Sequence, residues 1–327
     1  MKTIRLLSKS DLEQVLTLGD VIQAVEDGFR ADAEGDVTTF PVVMEHIAAH
    51  DAFFGIKSSF VPATEALGVK VAGFWPPPKD SIVPGHFAVI VYLDGKTGTV
   101  LAFMDGDLIT TLRTGAAGAV AAKYLARPNS ATVGVIGAGV QGQIQVQALA
   151  ELFELDEVRI WDMSRGAVGR YVDRLSSLGI PVTAVETPRD AVTGADIIVT
   201  ATPSRSVLLE ADWVANGTHV NGIGADARGK QEIDPALFAR ATVVVDKLHQ
   251  CRELGDLQHA LRMGLMQEDD VHAELGQIVA GQRPGRTEPD QITIFDATGV
   301  SFQDVVTAKL AYDRAVELGL GSEFDWG

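Results

Sequence analysis

The stretch Thr132–Leu152, TVGVIGAGVQGQIQVQALAEL, settles the fold class. Its apolar residues up to Ile136 read as a strand, Gly137-Ala138-Gly139-Val140-Gln141-Gly142 as a tight turn, and Val140–Phe153 as a helix. The first glycine permits the sharp turn, and the second lets the backbone approach a pyrophosphate. The third lets helix and strand pack closely, while the helix N-terminus offers unpaired N–H groups to phosphates. Twenty residues past Gly142, at the end of the run EVRIWD, stands Asp162. A carboxylate there accepts hydrogen bonds from the adenosine ribose diol and repels a 2′-phosphate, which favours NAD(H). Ser164 and Arg165 follow it and could tolerate a phosphate, so NADP(H) stays open as the alternative.

From Pro128 onward, strand-like runs alternate with helix-sized segments. EVRIWD is followed by a helix over Arg165–Leu178, then by PVTAVE, ADIIVTAT, THVNGIG, ATVVVD and QITIFDATG. That alternation predicts βαβ units and a parallel sheet. The preceding half differs. The first thirty residues read as helix, with Ser10-Asp11-Leu12-Glu13 supplying a cap and Asp20 starting a second helix. From Val37 to Val100, short apolar runs (FPVVMEHI, FFGIKSSFV, LGVKVAGFW, HFAVIVYL) are broken by Pro76-Pro77-Pro78-Lys79-Asp80 and Asp94-Gly95-Lys96-Thr97-Gly98, which predicts a mostly antiparallel sheet. Thr111–Ala126 is Ala-rich and helical, and Phe302–Leu318 is a long amphipathic helix expected to cross back onto the first domain. The expected class is α/β: a Rossmann domain over 126–300 and an α+β domain built from 1–125 with 301–327.

Composition bounds the rest. The chain has 327 residues, 46% of them hydrophobic, enough for a core and too many for a disordered chain. Its net charge of −17 repels phosphate backbones, so no nucleic-acid partner is expected. One Cys cannot form an internal disulfide, and the N-terminus lacks the apolar core of a secretory signal. No apolar run is long enough to span a membrane, so a cytoplasmic location with no membrane partner is expected. His46 and His50 stand four apart but without a third ligand, and His249 and Cys251 are equally isolated, so no metal is expected.

Ligands of an open parallel sheet collect at the carboxyl ends of its strands. Asp226 follows the THVNGIG strand in a Gly-rich loop, either as a substrate-facing carboxylate or as a solvated turn residue. Lys70 lies inside the apolar strand LGVKVAGF, where a buried cation needs an anionic partner. It either points to solvent or meets an acid. Arg113 and Thr114 stand at the start of the Ala-rich helix, where N–H groups and a guanidinium can jointly bind an anion. His86, after Pro84-Gly85, is a further candidate contact.

The runs GVKVAGF, LRTGAAGAVAAKYLAR, GVIGAGVQG, GIGADARGKQEIDPALF and ITIFDATGVSFQDV occur in that order. Together with the region from Lys57 onward, they resemble the ornithine cyclodeaminase/mu-crystallin family. The resemblance implies a homodimer whose Rossmann domain binds the cofactor and whose second domain serves substrate binding and dimerisation. It implies that Lys70 and Arg113 bind a substrate α-carboxylate, that Asp226 is the acid/base residue at the substrate nitrogen and with Lys70 makes up the catalytic pair, and that Thr298 approaches substrate or nicotinamide. Arg113, Thr114, Gly137, Gly139, Val140, Gln141, Gly142, Asp162, Thr200, Gly222 and Lys230 would line the dinucleotide.

Two departures guide the choice among branches. Where the family usually has an Arg near its first strand, this chain has Val43 and Met44. Where cyclodeaminases carry a Glu for a distal amine, it has Phe54-Gly55-Ile56-Lys57-Ser58-Ser59. A cation at Lys57 repels an ornithine ammonium and attracts a distal carboxylate; its ordinary alternative is an exposed strand lysine. The expected activity is therefore NAD(H)-dependent reduction of an α-imino acid to an L-amino acid, iminosuccinate to aspartate first and an alanine dehydrogenase-like reaction next. The alternatives are ornithine cyclodeaminase and a non-catalytic mu-crystallin-like binding protein.

Overall fold

The computed structural model describes residues 3–76 and 85–327, and the Pro77–Asp80 part of the expected proline turn lies outside them. The chain divides into two compact units, Met1–Arg113 with Val300–Gly327, and Thr114–Gly299. The expected boundaries were 125/126 and 300/301.

The first unit is a mixed sheet under two long helices. Strands run in the order Ser322–Asp325, Thr3–Leu7, Val100–Asp105, His86–Asp94, Ala66–Phe74, Ala52–Val61 and Thr38–Thr39, with Val43–Ile47 also paired to Ala52–Val61. All these pairs are antiparallel except Thr3–Leu7 with Val100–Asp105, which is parallel. The antiparallel expectation for Val37–Val100 holds: Val43–Ile47 with Ala52–Val61, Ala52–Val61 with Ala66–Phe74, and His86–Asp94 with Val100–Asp105 follow one another through connections of four or five residues, short enough to fold each run back on the last. The all-helical reading of the first thirty residues does not hold. Thr3–Leu7 is a strand, and its partners lie about a hundred and three hundred residues away in the chain. Helices follow over Lys9–Val15 and Leu18–Ala33, capped by Ser8 and Thr17 rather than by Ser10 and Asp20. Asp11 closes a capping box with Ser8, and the Thr17 hydroxyl accepts from the Asp20 N–H.

On the Leu18–Ala33 helix, Val21, Ile22, Val25 and Phe29 are fully or nearly buried, one apolar stripe at helical spacing. Phe29 meets Phe302 of the Ser301–Leu318 helix edge to face, with ring centroids 5.2 Å apart. The last helix thus packs in the first unit, as expected for a helix crossing back. It lies close on the sheet because Gly68 carries no side chain; a Cβ there would stand 3.0 Å from Val305 Cγ2. Arg314 near its end pairs with Asp20 at 2.7 Å.

The second unit is doubly wound. Its parallel strands run in the order Val182–Ala184, Glu157–Trp161, Thr132–Ile136, Ile197–Thr200, His219–Gly222, Thr293–Asp296, Thr242–Val245 and Ala273–Glu274. Alternate residues of single strands enter two separate cores. Val133, Val135, Ile197 and Val199 pack with Val146, Leu149 and Tyr171, while Ile136 and Ile198 pack with Val192, Leu237 and Leu257. Apolar runs buried on both faces are the signature of a parallel sheet covered by helices on each side. Val140–Ala150 and Arg165–Leu175, each shorter than the sequence pattern suggested, line one core, and short helices that include Leu248–Leu254 and Leu257–Arg262 line the other. A small parallel pair, Arg205–Leu209 with Gln231–Ile233, was not expected. No helix among the described residues is long and apolar enough to cross a membrane.

Candidate active site

In the second unit, the switch in strand direction of growth falls between Thr132–Ile136 and Ile197–Thr200. Ile136, Thr200, Gly222 and Asp296 stand in one register row across four neighbouring strands. The glycine turn, Thr200, Gly222 and Thr298 are therefore brought to one sheet edge, the carboxyl edge at which such sheets bind ligands.

The turn's geometry fits a dinucleotide. Gly137 has φ +115°, and a Cβ there would lie 2.5 Å from the Ala201 carbonyl oxygen. At Gly142 a Cβ would stand 2.0 Å from the Gly137 oxygen, so any larger residue would push the helix off the turn. At Gly139 a Cβ would meet nothing within 4 Å, and no side chain caps the helix that follows. Open space in front of uncapped N–H groups is what a pyrophosphate needs. Val140 at the helix start is exposed, and the side-chain carbonyl of Gln141 is buried with no hydrogen-bond partner. Asp162 accepts from the Ala138 N–H at 2.9 Å and the Ser164 N–H at 2.7 Å. It thereby ties the turn to the next strand, while each oxygen keeps a lone pair for a ribose hydroxyl.

The loop after His219–Gly222 carries Asp226 and Lys230, whose Nζ donates to Asp226 Oδ1 at 2.5 Å and to the Gly224 carbonyl at 3.3 Å. Asp226 is about half exposed. Thr298 donates its N–H and hydroxyl to Asp246, at 2.8 and 3.3 Å. Thr114 lies within the Gly106–Leu125 helix, and its carbonyl accepts from Gln145 Nε2 at 2.8 Å. Sequence reasoning missed Glu232. Fully buried, it accepts from the Thr202 N–H at 2.6 Å and the Gly224 N–H at 2.9 Å, holding the loops after two of the site's strands. Burial first, then the Asp256 charge, pushes its carboxyl well above the usual range.

In the first unit, Lys70 does not point to solvent. It is 5% exposed, on the Ala66–Phe74 strand, and its Nζ donates to Asp304 Oδ1 at 2.9 Å and Thr110 Oγ1 at 3.1 Å. Arg113 Nε donates to the same Asp304 oxygen at 3.0 Å, and its Nη1 to Gln303 Oε1 at 3.0 Å. The helix carrying Arg113 begins at Gly106, so Arg113 sits in its interior and the expected help from helix N-terminal N–H groups is absent there. Lys57 pairs directly opposite Lys70 on the adjacent antiparallel strand, so both side chains rise on the face covered by the last helix. Burial pulls the Lys70 ammonium down to about 7; the Asp304 charge opposes this, while Arg113 and Lys57 add to it. At Asp304, burial pushes the carboxyl up, but Lys70 and Arg113 outweigh it, leaving a net shift below the ordinary range. The acid partner of Lys70 was foreseeable as a requirement, though not as Asp304.

Other candidates stand apart. His86 pairs with Asp107 at 2.7 Å on the surface, and Pro84, named with it in the sequence, lies outside the described residues. His46 meets Asp51 at 3.0 Å, and Val43 and Met44 are exposed strand residues. Among the described residues no group of three or more His, Cys, Asp or Glu could hold a metal.

Known proteins bear on this arrangement. The chain is 36% identical to the alanine dehydrogenase of Archaeoglobus fulgidus over 99% of its length and 98% of that protein. It is 38% identical to the iminosuccinate reductase of Paracoccus denitrificans over 98% of this chain and 99% of that one. The solved structure of Δ1-pyrroline-2-carboxylate reductase from Thermococcus litoralis, in complex with NADH and L-proline, superposes with a TM-score of 0.95 at 36% identity. That match covers 98% of this chain and 99% of that one. The model of the ornithine cyclodeaminase/mu-crystallin family matches residues 2–319. With a glycine turn, an acid after the second strand and a buried Lys–Asp–Arg cluster in place, the chain belongs to the ornithine cyclodeaminase/mu-crystallin family.

Proposed function

We propose that this protein is an NAD(H)-dependent reductase of an α-imino acid, with iminosuccinate as its substrate and aspartate as its product. The class follows from its relatives, which are named as enzymes of imino and amino acids and whose structures hold NAD or NADH. The substrate is carried by one observation: Lys57 stands opposite Lys70 on the Asp304-facing side of the sheet, adding a third cation to Lys70 and Arg113. Lys70 and Arg113 hold the α-carboxylate, and Lys57 receives the distal one. A charge-assisted bond to each carboxylate fixes the orientation of the imine carbon.

In the second unit the glycine turn and Asp162 hold the dinucleotide, with Thr114, Val140, Gln141, Thr200, Gly222 and Lys230 beside it. When bound, the nicotinamide supplies a hydride for the imine carbon or takes one back from the amine. Asp226 exchanges a proton with the substrate nitrogen, with Lys230 at 2.5 Å fixing its carboxylate. Reduction consumes one hydride and one proton per C=N bond, so the products are the amino acid and the oxidised cofactor. The protein acts as a homodimer, a reading supported by the relative whose structure is described as an alanine dehydrogenase dimer.

The test follows the loss of reduced nicotinamide absorbance with NADH or NADPH and oxaloacetate, pyruvate or glyoxylate, each with and without ammonium. Ammonium-dependent NADH oxidation fastest with oxaloacetate is expected. Preference for pyruvate makes the protein an alanine dehydrogenase. Release of ammonia from ornithine with catalytic NAD+ makes it a cyclodeaminase and removes the role given to Lys57.

A further inference from the structure

We propose that Asp304 is a positioning residue that aligns Lys70 and Arg113 for a substrate carboxylate and keeps Lys70 protonated until that carboxylate arrives. This deepens the reading of the first unit given above and rests on it for the identity of the ligand.

The geometry carries the inference. Lys70 and Arg113 come from a strand and a helix, yet both donate to one oxygen of Asp304, at 2.9 and 3.0 Å. A single shared acceptor pins both nitrogens toward one point, the convergence that capture of a second carboxylate requires. The other oxygen, Oδ2, is buried with no hydrogen-bond partner. Leaving a buried carboxylate oxygen unpaired is costly. Asp304 is thus not placed to saturate its own hydrogen bonds, and its position is explained by the two cations it serves.

Donor accounting agrees. Lys70 has three ammonium protons and uses two, on Asp304 and Thr110, which leaves one. Arg113 uses Nε on Asp304 and Nη1 on Gln303, which leaves Nη2. Each cation is therefore oriented by protein acceptors while holding back a donor for a ligand. Asp304 and Gln303 are neighbours on the last helix, so one turn of that helix orients both cations.

Charge gives the second half. The groups facing Lys70 are Asp304 from the last helix, Arg113 and Thr110 from the Gly106–Leu125 helix, and Lys57 from the adjacent strand. Arg113 and Lys57 favour the neutral amine, burial does so more strongly, and Asp304 opposes them. Without the Asp304 charge, Lys70 would meet its substrate as an amine, which cannot form an ion pair.

The decisive experiment is an NMR titration of 15N-labelled lysine side chains in the full-length protein, comparing wild type with Asp304→Asn and Asp304→Glu. Lys70 in the wild type is expected to titrate at about 7. In Asp304→Asn its midpoint should fall by about one unit or more, as loss of an adjacent opposite charge predicts, and Asp304→Glu should restore most of the shift. An unchanged Lys70 midpoint in a folded Asp304→Asn protein overturns the proposal. If that variant does not fold, the wild type still decides: Asp304 13Cγ must shift at the same midpoint as Lys70, and failure to do so overturns it. In kinetics, the upper pH limb of kcat/KM should move down in Asp304→Asn, a change that simple loosening of the helix would not produce. The NMR readout needs no substrate, so it stands even if the wild type reduces no imino acid, an outcome that would refute the proposed function alone.

Discussion

Replacing Lys57 by Gln removes one charge and keeps a side chain of similar reach on the face shared with Lys70. A hydrogen bond to a charged group is worth about 1.5–3 kcal/mol, and each 1.4 kcal/mol is tenfold in an equilibrium. With oxaloacetate plus ammonium, Lys57→Gln should therefore lower kcat/KM about 10- to 100-fold. With pyruvate plus ammonium, which offers no distal carboxylate, the change should stay within about threefold, since only the indirect effect on Lys70 remains. That indirect effect has a predictable sign. Lys57 is one of the charges depressing Lys70, so its removal raises the Lys70 midpoint and shifts the upper limb of the pyruvate profile to higher pH. The assay is nicotinamide absorbance with both oxo acids across pH. Equal losses with oxaloacetate and pyruvate would refute the reasoning, because they would mean that Lys57 shapes the site without touching a distal group.

Asp226→Ala should abolish turnover, by about a hundredfold or more, while NADH binding followed by fluorescence stays within a few-fold; parallel loss of both would make Asp226 structural. The second unit also carries a pH signature. Glu232, Asp256 and Asp296 are fully buried, and burial, then the neighbouring carboxylate charges (Asp256 on Glu232, Asp296 on Asp256, Asp246 before Glu232 on Asp296), holds all three above the ordinary carboxylate range. A raised folded-state value gives stability that is complete below the unfolded value, about 4, and is lost as pH rises through the folded one. The melting temperature should therefore fall as pH climbs from about 5 to about 8, and Asp256→Asn should flatten that slope; an unchanged slope in a folded variant would contradict this account.

Much of the Rossmann half was legible in the sequence because its determinants are contiguous. A glycine that must take φ +115° and one where an added Cβ would stand 2.0 Å from a carbonyl oxygen leave their mark within six residues, and Asp162 follows at the end of the next strand. The alternation of strands and helices is equally local, since a strand buried on both faces must be apolar throughout. Thr3–Leu7 was misread because nothing within five residues says that its backbone will pair with Val100–Asp105 on one side and Ser322–Asp325 on the other. The helix carrying Arg113 was started too late for a related reason: its first turn, Gly106–Thr110, lacks the Ala-rich composition of the rest.

The site divides along the same line. Lys70 announced itself as a cation in an apolar strand, and physics required an acid for it. That acid is 234 residues away in the chain, on a helix where an Asp among apolar residues looks like any solvated position. Lys57 acquired its meaning only through the register that sets it opposite Lys70, because a one-residue slip would turn it to the other face of the sheet. Glu232 became a clamp only once two loops converged on its buried carboxylate. Backbone conformation and hydrophobic period are written in neighbouring residues; the pairing of buried charges depends on which distant segments the chain brings together, and only the folded molecule holds that information.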